Sequence, residues 1–574
     1  MSEWKVGQIK VKVGGYTPAA KPAQAAPAAT PGARDPDADR QTLQAIQAAA
    51  QTRDFARASA MAEQAWQGGL EHPMVLNLVA LKCEQEGRFD DALKALGRAV
   101  EIAPNDIGAR NALGLVLTRI ERYREALGVF EGVCAMAPEF AGAHCARGAA
   151  LESLGRLKEA EAAYRRAEEL QPENLGAVQG LANLLSRRGA HAEARPLAED
   201  VLDAQPNFPD AVMVLAAADA AEGAGERAKQ RLDLLIADER VTPVQRALAQ
   251  GLLGDVLDTM DLPAEAFAAY AACNMELWRA YAPVYGQRTS ALDFARAMIA
   301  ELDNIPPDAW TSAGGAARAD APKTHVFLLG FPRSGTTLLE QVLASHPDVE
   351  ALEERETLEA AQRAFLSQPQ DLIRLAKAGE SELAPLREAY WERVKAEGGS
   401  PAGKVFVDKH PLNTFRLPLI LKLFPDAKIL FARRDPRDVV LSCYRRRFVM
   451  SGSAYQLLTL PGAAGHYDAA MRLTERLDAP MAARTRVVRH EALIEDFDAA
   501  VREVCDFLGL PWDDAMRDFA EKGRDRAVAT PSGAQLSRGL SAEGVGAWRR
   551  YATELAAVQP QLKPWVEAFG YPRE

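Results

Sequence analysis

The 574-residue chain is predicted to hold two fold types in succession, an α-helical repeat solenoid and then an α/β domain built on a parallel sheet. Three observations predict this. Residues of fixed type recur every 34 positions through the first half. Beyond residue 321, short apolar runs alternate with longer amphipathic ones, the pattern of strand-helix-strand units. The first of those runs leads into Gly330-x-x-x-x-Gly335, the spacing of a phosphate-binding loop. A chain this long exceeds one ordinary core, so two or three domains are expected.

Composition narrows the function classes. Apolar residues make up 48% of the chain and aromatics only 7%, and the abundant alanine favours close-packed helices over β-sandwich cores. A formal charge of −11 and a pI near 5.5 argue against a nucleic-acid binder, although one local basic pocket remains compatible. The six cysteines are scattered with no C-x-x-C, so neither a disulfide framework nor a zinc site is expected, and a reducing compartment fits best. The start, MSEWKVGQIKV, lacks a signal peptide's apolar core. No run approaches the 18 apolar residues of a membrane span, so no span and a cytoplasmic location are expected.

In chain order, residues 1–38 open with a weakly alternating arm (Val6, Ile9, Val11, Val13). They continue as an Ala/Pro-rich stretch too poor in bulky apolar groups to offset ordering entropy, and a disordered linker is expected there.

Residues 39–284 carry the repeat. Pro104, Pro138, Pro172 and Pro206 are 34 apart; so are Ala58, Ala92, Ala126, Ala160, Ala194 and Ala228, and so are Ala80, Gly114, Gly148, Ala182 and Ala216. Small residues at two fixed sites let paired helices approach closely, and proline stops the second helix before the next repeat. The register slips by four afterwards, with Gly254 and Ala266 falling 38 after Ala216 and Ala228. This resembles the tetratricopeptide repeat, whose period is 34, and the resemblance implies about seven helix pairs. Such an array serves either as a spacer or dimerisation surface, or as a groove that grips a protein partner.

Residues 285–321 read as a connecting helix and a Gly/Ala/Pro-rich junction, and residues 322–574 as the α/β domain. Candidate strands are Thr324–Gly330, Lys404–Asp408, Ala427–Ala432 and Arg486–His490. In an open parallel sheet, ligands bind beyond the carboxyl ends of the strands. "FPRSGTT", "DKHP" with Lys409, and "RRDPRDVVLS" with Arg434 and Ser442 fall at three of those ends.

The loop suits an anion. Gly330 and Gly335 permit unusual backbone angles and close approach. The amides of residues 334–337 point towards the following helix N-terminus, Thr336 and Thr337 add hydroxyls, and Arg333 adds a bidentate cation. Where a nucleotide-binding loop has Lys and then Ser or Thr, this chain has Thr336 and Thr337. That removes the contact to outer phosphates and undermines a Mg²⁺ site, so an anion that needs no metal fits better.

The run "PRSGTTLLEQVLASHPDV", followed in order by "LEERE", "DKHP", "RRDPRDVVLS" and "RHEALIEDF", resembles the sulfotransferase family that uses 3′-phosphoadenosine 5′-phosphosulfate (PAPS), over residues 324–572. The likeness is greatest to its tyrosylprotein branch and to bacterial-type relatives carrying tetratricopeptide repeats. It implies a P-loop-like sulfotransferase domain, PAPS as sulfuryl donor and no metal. It further implies that Arg333, Ser334, Gly335, Thr336 and Thr337 hold the 5′-phosphosulfate. Arg434 and Ser442 match the 3′-phosphate pair, Arg446 a further donor contact, and Ser532 and Gln535 a segment closing near the donor. Glu354, 21 residues after Arg333, matches the catalytic base, and Lys409 the catalytic lysine that acts with Arg333 on developing charge.

Alternatives stand beside these roles. Glu353 and Glu356 rival Glu354, which the family offset favours, and "EALEERETLEA" also reads as a solvated helix start. His410 is a second candidate base, though packing or hydrogen bonding suits it better. Arg445, Arg446 and Arg447 also read as a surface charge run, from which position singles out only Arg446. The chain departs from the family at Glu356, where an Arg is expected, at His490, where a Tyr is expected, and at Ala547, where a Lys is expected. The favoured acceptor is a protein tyrosine recruited by the repeats; a saccharide or small-molecule hydroxyl is the alternative, and a non-catalytic scaffold the remaining one. Repeat arrays and these enzymes both often pair, which makes a homodimer one expected assembly.

Overall fold

A computed structural model describes residues 36–287, 289–310, 320–521 and 539–573. The chain divides into two compact units, Met1–Ala218 and Asp219–Glu574. The N-terminal arm and nearly all of the Ala/Pro-rich stretch lie outside the described residues, and the first helix begins at Pro36.

Seven helix pairs run from Pro36 to Tyr285 among the described residues. The first helices of pairs two to six start at residues 73, 107, 141, 175 and 209, and each has 13 residues. The small sites have a visible cause. A Cβ on Gly114 would lie 2.5 Å from the Phe130 ring, and one on Gly148 would lie 2.8 Å from Tyr164, sixteen residues on in each case. The turn inside each pair ends on one residue with left-handed backbone, and these too recur every 34: Arg53, Gly87, Glu121, Gly155, Gly189 and Gly223. A single left-handed residue after the last helical turn satisfies carbonyls that the helix leaves open.

The four-residue slip lies in the first helix of the seventh pair. Pro243–Thr259 starts in register but has 17 residues. Its crossing point has moved with it, because Gly254 now abuts Tyr270, again sixteen residues on. One extra turn therefore precedes the crossing. The slip is a longer helix, not a broken repeat.

Among the described residues of the second unit, five parallel strands form one sheet: β1 (Thr324–Leu329), β2 (Val349–Glu353), β3 (Val405–Lys409), β4 (Lys428–Arg433) and β5 (Thr485–Arg489), in the order β2-β3-β1-β4-β5. Core residues cover both faces. Phe327, Leu329, Phe406 and Ile429 enter one cluster, and Val326, Leu328, Val407 and Leu430 enter the other. Burial on both faces explains why these strands are near-continuous apolar runs rather than alternating ones. From β1 the chain turns towards β2, and from β4 towards β5 on the opposite side. The crevice between the ends of β1 and β4 is thus the topological switch point, where such sheets bind ligands.

β2 corrects the reading of "EALEERETLEA" as a helix start: Val349–Glu353 pairs with β3 at the sheet edge, and helix resumes only at Glu359. Its five residues include two glutamates, and only Val349 and Leu352 are buried, so its apolar signal is weak. Among the described residues, no helix is long and apolar enough to cross a membrane.

Candidate active site

The loop after β1 is bent by three consecutive conformational demands. Gly330 has φ +155°, Arg333 +71° and Gly335 +98°. A side chain at Gly330 would press on Ser334 Oγ at 2.6 Å and on the Ala432 carbonyl at 2.8 Å, and one at Gly335 would meet His490 Nδ1 at 2.9 Å. The Gly330 peptide is pinned from the segment after β3: Thr414 Oγ1 donates to the Gly330 carbonyl at 2.6 Å and accepts its amide at 3.2 Å. Gly335 then caps the helix Thr336–Ala344, whose first residues, Thr336 and Thr337, are buried.

Cations gather around this loop. Arg333 Nε donates to Ser442 Oγ at 3.0 Å, and Arg434 Nη1 donates to the Arg333 carbonyl at 3.4 Å. Burial, reinforced by Arg446 and Arg434, brings the Arg333 guanidinium down to about 9. Arg434 also donates to the Gly544 carbonyl, while its Nε is buried with no hydrogen-bond partner among the described residues. His490 Nδ1 is likewise buried and unpartnered. Burial and then Arg434 and Arg333 lower this imidazole to about 3, which keeps it neutral at pH 7. Gathered positive charge with orphaned polar atoms is the signature of a site that fits an anion.

Helix Pro436–Arg445 positions Arg434 and Ser442. Asp435 caps it, accepting the Arg437 amide at 2.9 Å, and Glu491 accepts the Asp435 amide at 3.0 Å. Asp438 accepts the amides of Gly546 at 2.7 Å and Trp548 at 2.9 Å, fixing the segment that carries Gly544. Trp548 is buried, with Arg437 stacked 3.8 Å over its ring.

The carboxylates lie on the β2–β3 side. Lys409 is fully buried, and its Nζ reaches Glu354 Oε1 at 2.8 Å and Glu353 Oε1 at 3.2 Å. Burial alone would lower Lys409, but Glu353, Glu354 and Glu340 outweigh it and hold the ammonium above its usual range. Burial alone would raise Glu354, yet Lys409, His410 and Arg333 hold it below the usual carboxylate range. Glu354 also has positive φ, +46°, and its amide donates to the Lys409 carbonyl at 2.7 Å. Glu356 is engaged differently, 2.6 Å from Arg416 Nη2 and 3.3 Å from His410 Nε2. It lines a cleft of about 360 Å³ with Glu359, Gln362, Arg363 and Arg416.

The sequence placed Arg333–Thr337, Lys409, and Arg434 with Ser442 after three strands, and the structure adds Glu354, named from the resemblance alone, just beyond the end of β2 beside Lys409. Ser532 and Gln535 lie outside the described residues. The Arg445–Arg447 run is not a surface charge run: Asp258 takes Arg445, and Asp255 takes Arg447 at 2.6 Å, both from helix Pro243–Thr259. Arg550 pairs with the same helix and the turn after it, with Asp258 at 3.0 Å and Asp261 at 2.8 Å. Thr414 and Asp255 were missed. Only the repeat slip hinted at the second.

The Sulfotransferase family matches residues 325–514, and the tetratricopeptide repeat matches residues 43–107, 111–174 and 185–251. An uncharacterized protein of Aquifex aeolicus is 29% identical over 42% of this chain and 32% of its own length. The protein-tyrosine sulfotransferase of Drosophila melanogaster is 25% identical over 43% of this chain and 51% of its own. The chain therefore spans about half or less of these two relatives. The sulfotransferase domain of the Synechococcus olefin synthase aligns over 46% of this chain and 99% of its own, at 23% identity and a TM-score of 0.29. Residues 325–514 thus match the sulfotransferase family, and the segments ahead of them match the tetratricopeptide repeat.

Proposed function

We propose that the domain transfers a sulfuryl group from PAPS to an acceptor hydroxyl, protein tyrosine foremost. The observation that carries this reading is the gathering of Arg333, Arg434 and Ser442 around a loop whose two glycines admit no side chain, next to a Glu354–Lys409 pair. The residues fit such a donor, because the orphaned Arg434 Nε and the glycine cradle both suit a phosphate-like group.

The donor supplies an activated sulfuryl group whose S–O bond to the 5′-phosphate breaks as the acceptor oxygen forms its own bond to sulfur. Arg333, Ser334, Gly335, Thr336 and Thr337 hold the 5′ end, while Arg434, Ser442 and Arg446 hold the 3′-phosphate side. Ser532 and Gln535, outside the described residues, are assigned to the donor by the resemblance alone. Glu354, kept ionised by Lys409, takes the acceptor's proton. Lys409 and Arg333 stabilise charge on the oxygen that departs with the electron pair. Fixed amides and cations neutralise the leaving adenosine 3′,5′-bisphosphate, so the reading calls for no metal. The repeats recruit the acceptor or a partner, in the cytoplasm on this reading, where scattered free cysteines fit.

Tyrosine is supported by relatives named protein-tyrosine sulfotransferases. A saccharide or small-molecule hydroxyl is the second reading, and Glu356 favours it: a carboxylate balancing Arg416 beside Glu354 makes the adjoining cleft charge-neutral instead of basic. Calorimetry with adenosine 3′,5′-bisphosphate in EDTA tests the donor site, with binding expected for the wild type and weakened in Arg434→Ala. Labelled PAPS incubated with source-cell lysate then separates labelled protein from labelled glycan. Binding of ATP–Mg²⁺ without bisphosphate binding would sink the reading, and saturable binding without turnover on any acceptor would favour a non-catalytic scaffold.

A further inference from the structure

Three consecutive arginines follow Ser442, and two carboxylates one turn apart on helix Pro243–Thr259 face them. Asp258 receives Arg445, the Tyr551 hydroxyl and Arg550. Asp255 receives Arg447 Nη2 on Oδ2 at 2.6 Å and the Tyr270 hydroxyl on Oδ1 at 3.0 Å. The remaining cation, Arg446, lies with Nη1 4.0 Å from Asp255 Oδ1. That is within ion-pair range but beyond a hydrogen bond.

The approach is built in. A Cβ on Gly251 would lie 2.5 Å from Arg447 Cδ, and Gly254 seats the Tyr270 ring. Asn274 of the paired helix donates to the Tyr444 carbonyl at 2.9 Å, buried, and Phe267 stacks on Tyr444 at 5.3 Å. The end of helix Pro436–Arg445 is therefore fixed to the seventh helix pair, and Arg446 leaves it in extended conformation. Just before it, Ser442 Oγ accepts Arg333 Nε at 3.0 Å and Cys443 Sγ donates to the Pro332 carbonyl at 3.3 Å, so the segment that leads to Arg446 abuts the anion loop. The segment around Arg446 thus touches the anion loop through Ser442 and Cys443 and a carboxylate of the repeat helix through Arg446 and Arg447.

We propose that Asp255 is a positioning residue for the donor site, a carboxylate from the last repeat that keeps Arg446 turned towards the anion loop without capturing it. This rests on the donor reading above. Asp255 already spends its short contacts on Arg447 and Tyr270, so Arg446 remains able to take an anion. Without Asp255, repulsion from Arg333 would turn Arg446 away from the loop. The last helix pair is accordingly a working part of the donor site, and the extra turn that precedes its crossing belongs to the same helix as both carboxylates.

The test is calorimetry of the full chain with adenosine 3′,5′-bisphosphate. Charge alone says that removing a carboxylate near an anion site tightens binding. Positioning says the opposite: Asp255→Asn should weaken binding by roughly tenfold, and Asp255→Glu should recover most of it. In an Arg446→Ala background, Asp255→Asn should add less than about twofold, because the two act as a pair. Circular dichroism and the thermal midpoint check that the variants fold. Unchanged or tighter binding in Asp255→Asn, or a full further loss in the Arg446→Ala background, overturns the proposal while leaving the donor reading intact. Absence of bisphosphate binding by the wild type overturns both.

Discussion

The ammonium of Lys409, at the end of β3, lies 2.8 Å from Glu354 Oε1, and the Lys409 carbonyl accepts the Glu354 amide at 2.7 Å. Two neighbouring strand ends are thus joined through both backbone and side chains. This double tie explains how Glu354 holds a left-handed backbone that a glutamate rarely adopts, and why its carboxylate faces the lysine.

Glu354→Gln keeps the shape and the amide bond but removes the carboxylate proposed to take the acceptor's proton. Turnover should fall by about 10²–10⁴-fold while bisphosphate affinity stays within about twofold. Steady-state kinetics with labelled PAPS and calorimetry on the same preparation read the two quantities. A parallel loss of affinity would show that Glu354 supports the donor loop instead of the chemistry.

Glu356 predicts an acid limb of stability. Burial would raise its carboxyl, but the hydrogen bond with His410 and the charge of Arg416 bring it from 4.5 down to about 2. A folded-state value below the unfolded one stabilises above the unfolded value and loses that contribution as pH falls through the folded one. The loss therefore lies between about pH 4.5 and 2. The Glu356 side chain is half-exposed, so solvent screening limits the effect to about 1–4 °C in midpoint. Across that window the wild type should lose more than Glu356→Gln in scanning calorimetry. Equal slopes would remove Glu356 from the acid limb.

What was legible in the sequence follows from what spacing can encode. A 34-residue period fixes the left-handed turn residues and the small crossing sites, because both are local to one helix pair. Parallel topology likewise dictates that polar residues just after apolar runs converge, so Arg333, Lys409 and Arg434 could be grouped before any fold was known. Edge strand β2 escaped notice because a five-residue strand with two glutamates has too few buried positions to differ from a helix start. The Asp255–Arg447 pair spans 192 residues and depends on helix docking, which no local pattern records. The length change in the seventh pair was its only trace.

Gly335→Ala should damage the loop through two separable costs. The backbone at φ +98° disfavours any side chain, and the new Cβ would sit 2.9 Å from His490 Nδ1. Together these should cost about 1–3 kcal/mol and lower bisphosphate affinity. Adding His490→Ala relieves the contact but not the strain, so the double variant should recover only part of the midpoint. Complete recovery would assign the whole effect to the imidazole.

Thr414 offers the cleanest probe of how the loop is held, because one hydroxyl serves both polar groups of the Gly330 peptide. It donates to the carbonyl at 2.6 Å and accepts the amide at 3.2 Å, and all three groups are buried. Thr414→Val preserves volume and branching while removing both bonds. A buried amide and carbonyl left unsatisfied should cost about 1–3 kcal/mol, against well under that for the change in side-chain volume. The same peptide sets the angle at which the chain enters the anion loop, so bisphosphate affinity should fall by roughly tenfold as pre-organisation is lost. Thr414→Ser keeps the hydroxyl and should bind within about threefold of wild type, though with a lower midpoint from the lost methyl. Thermal unfolding and calorimetry on the pair of variants separate the outcomes. If Val and Ser bind alike, the hydroxyl does not shape the loop and its bonds serve stability alone.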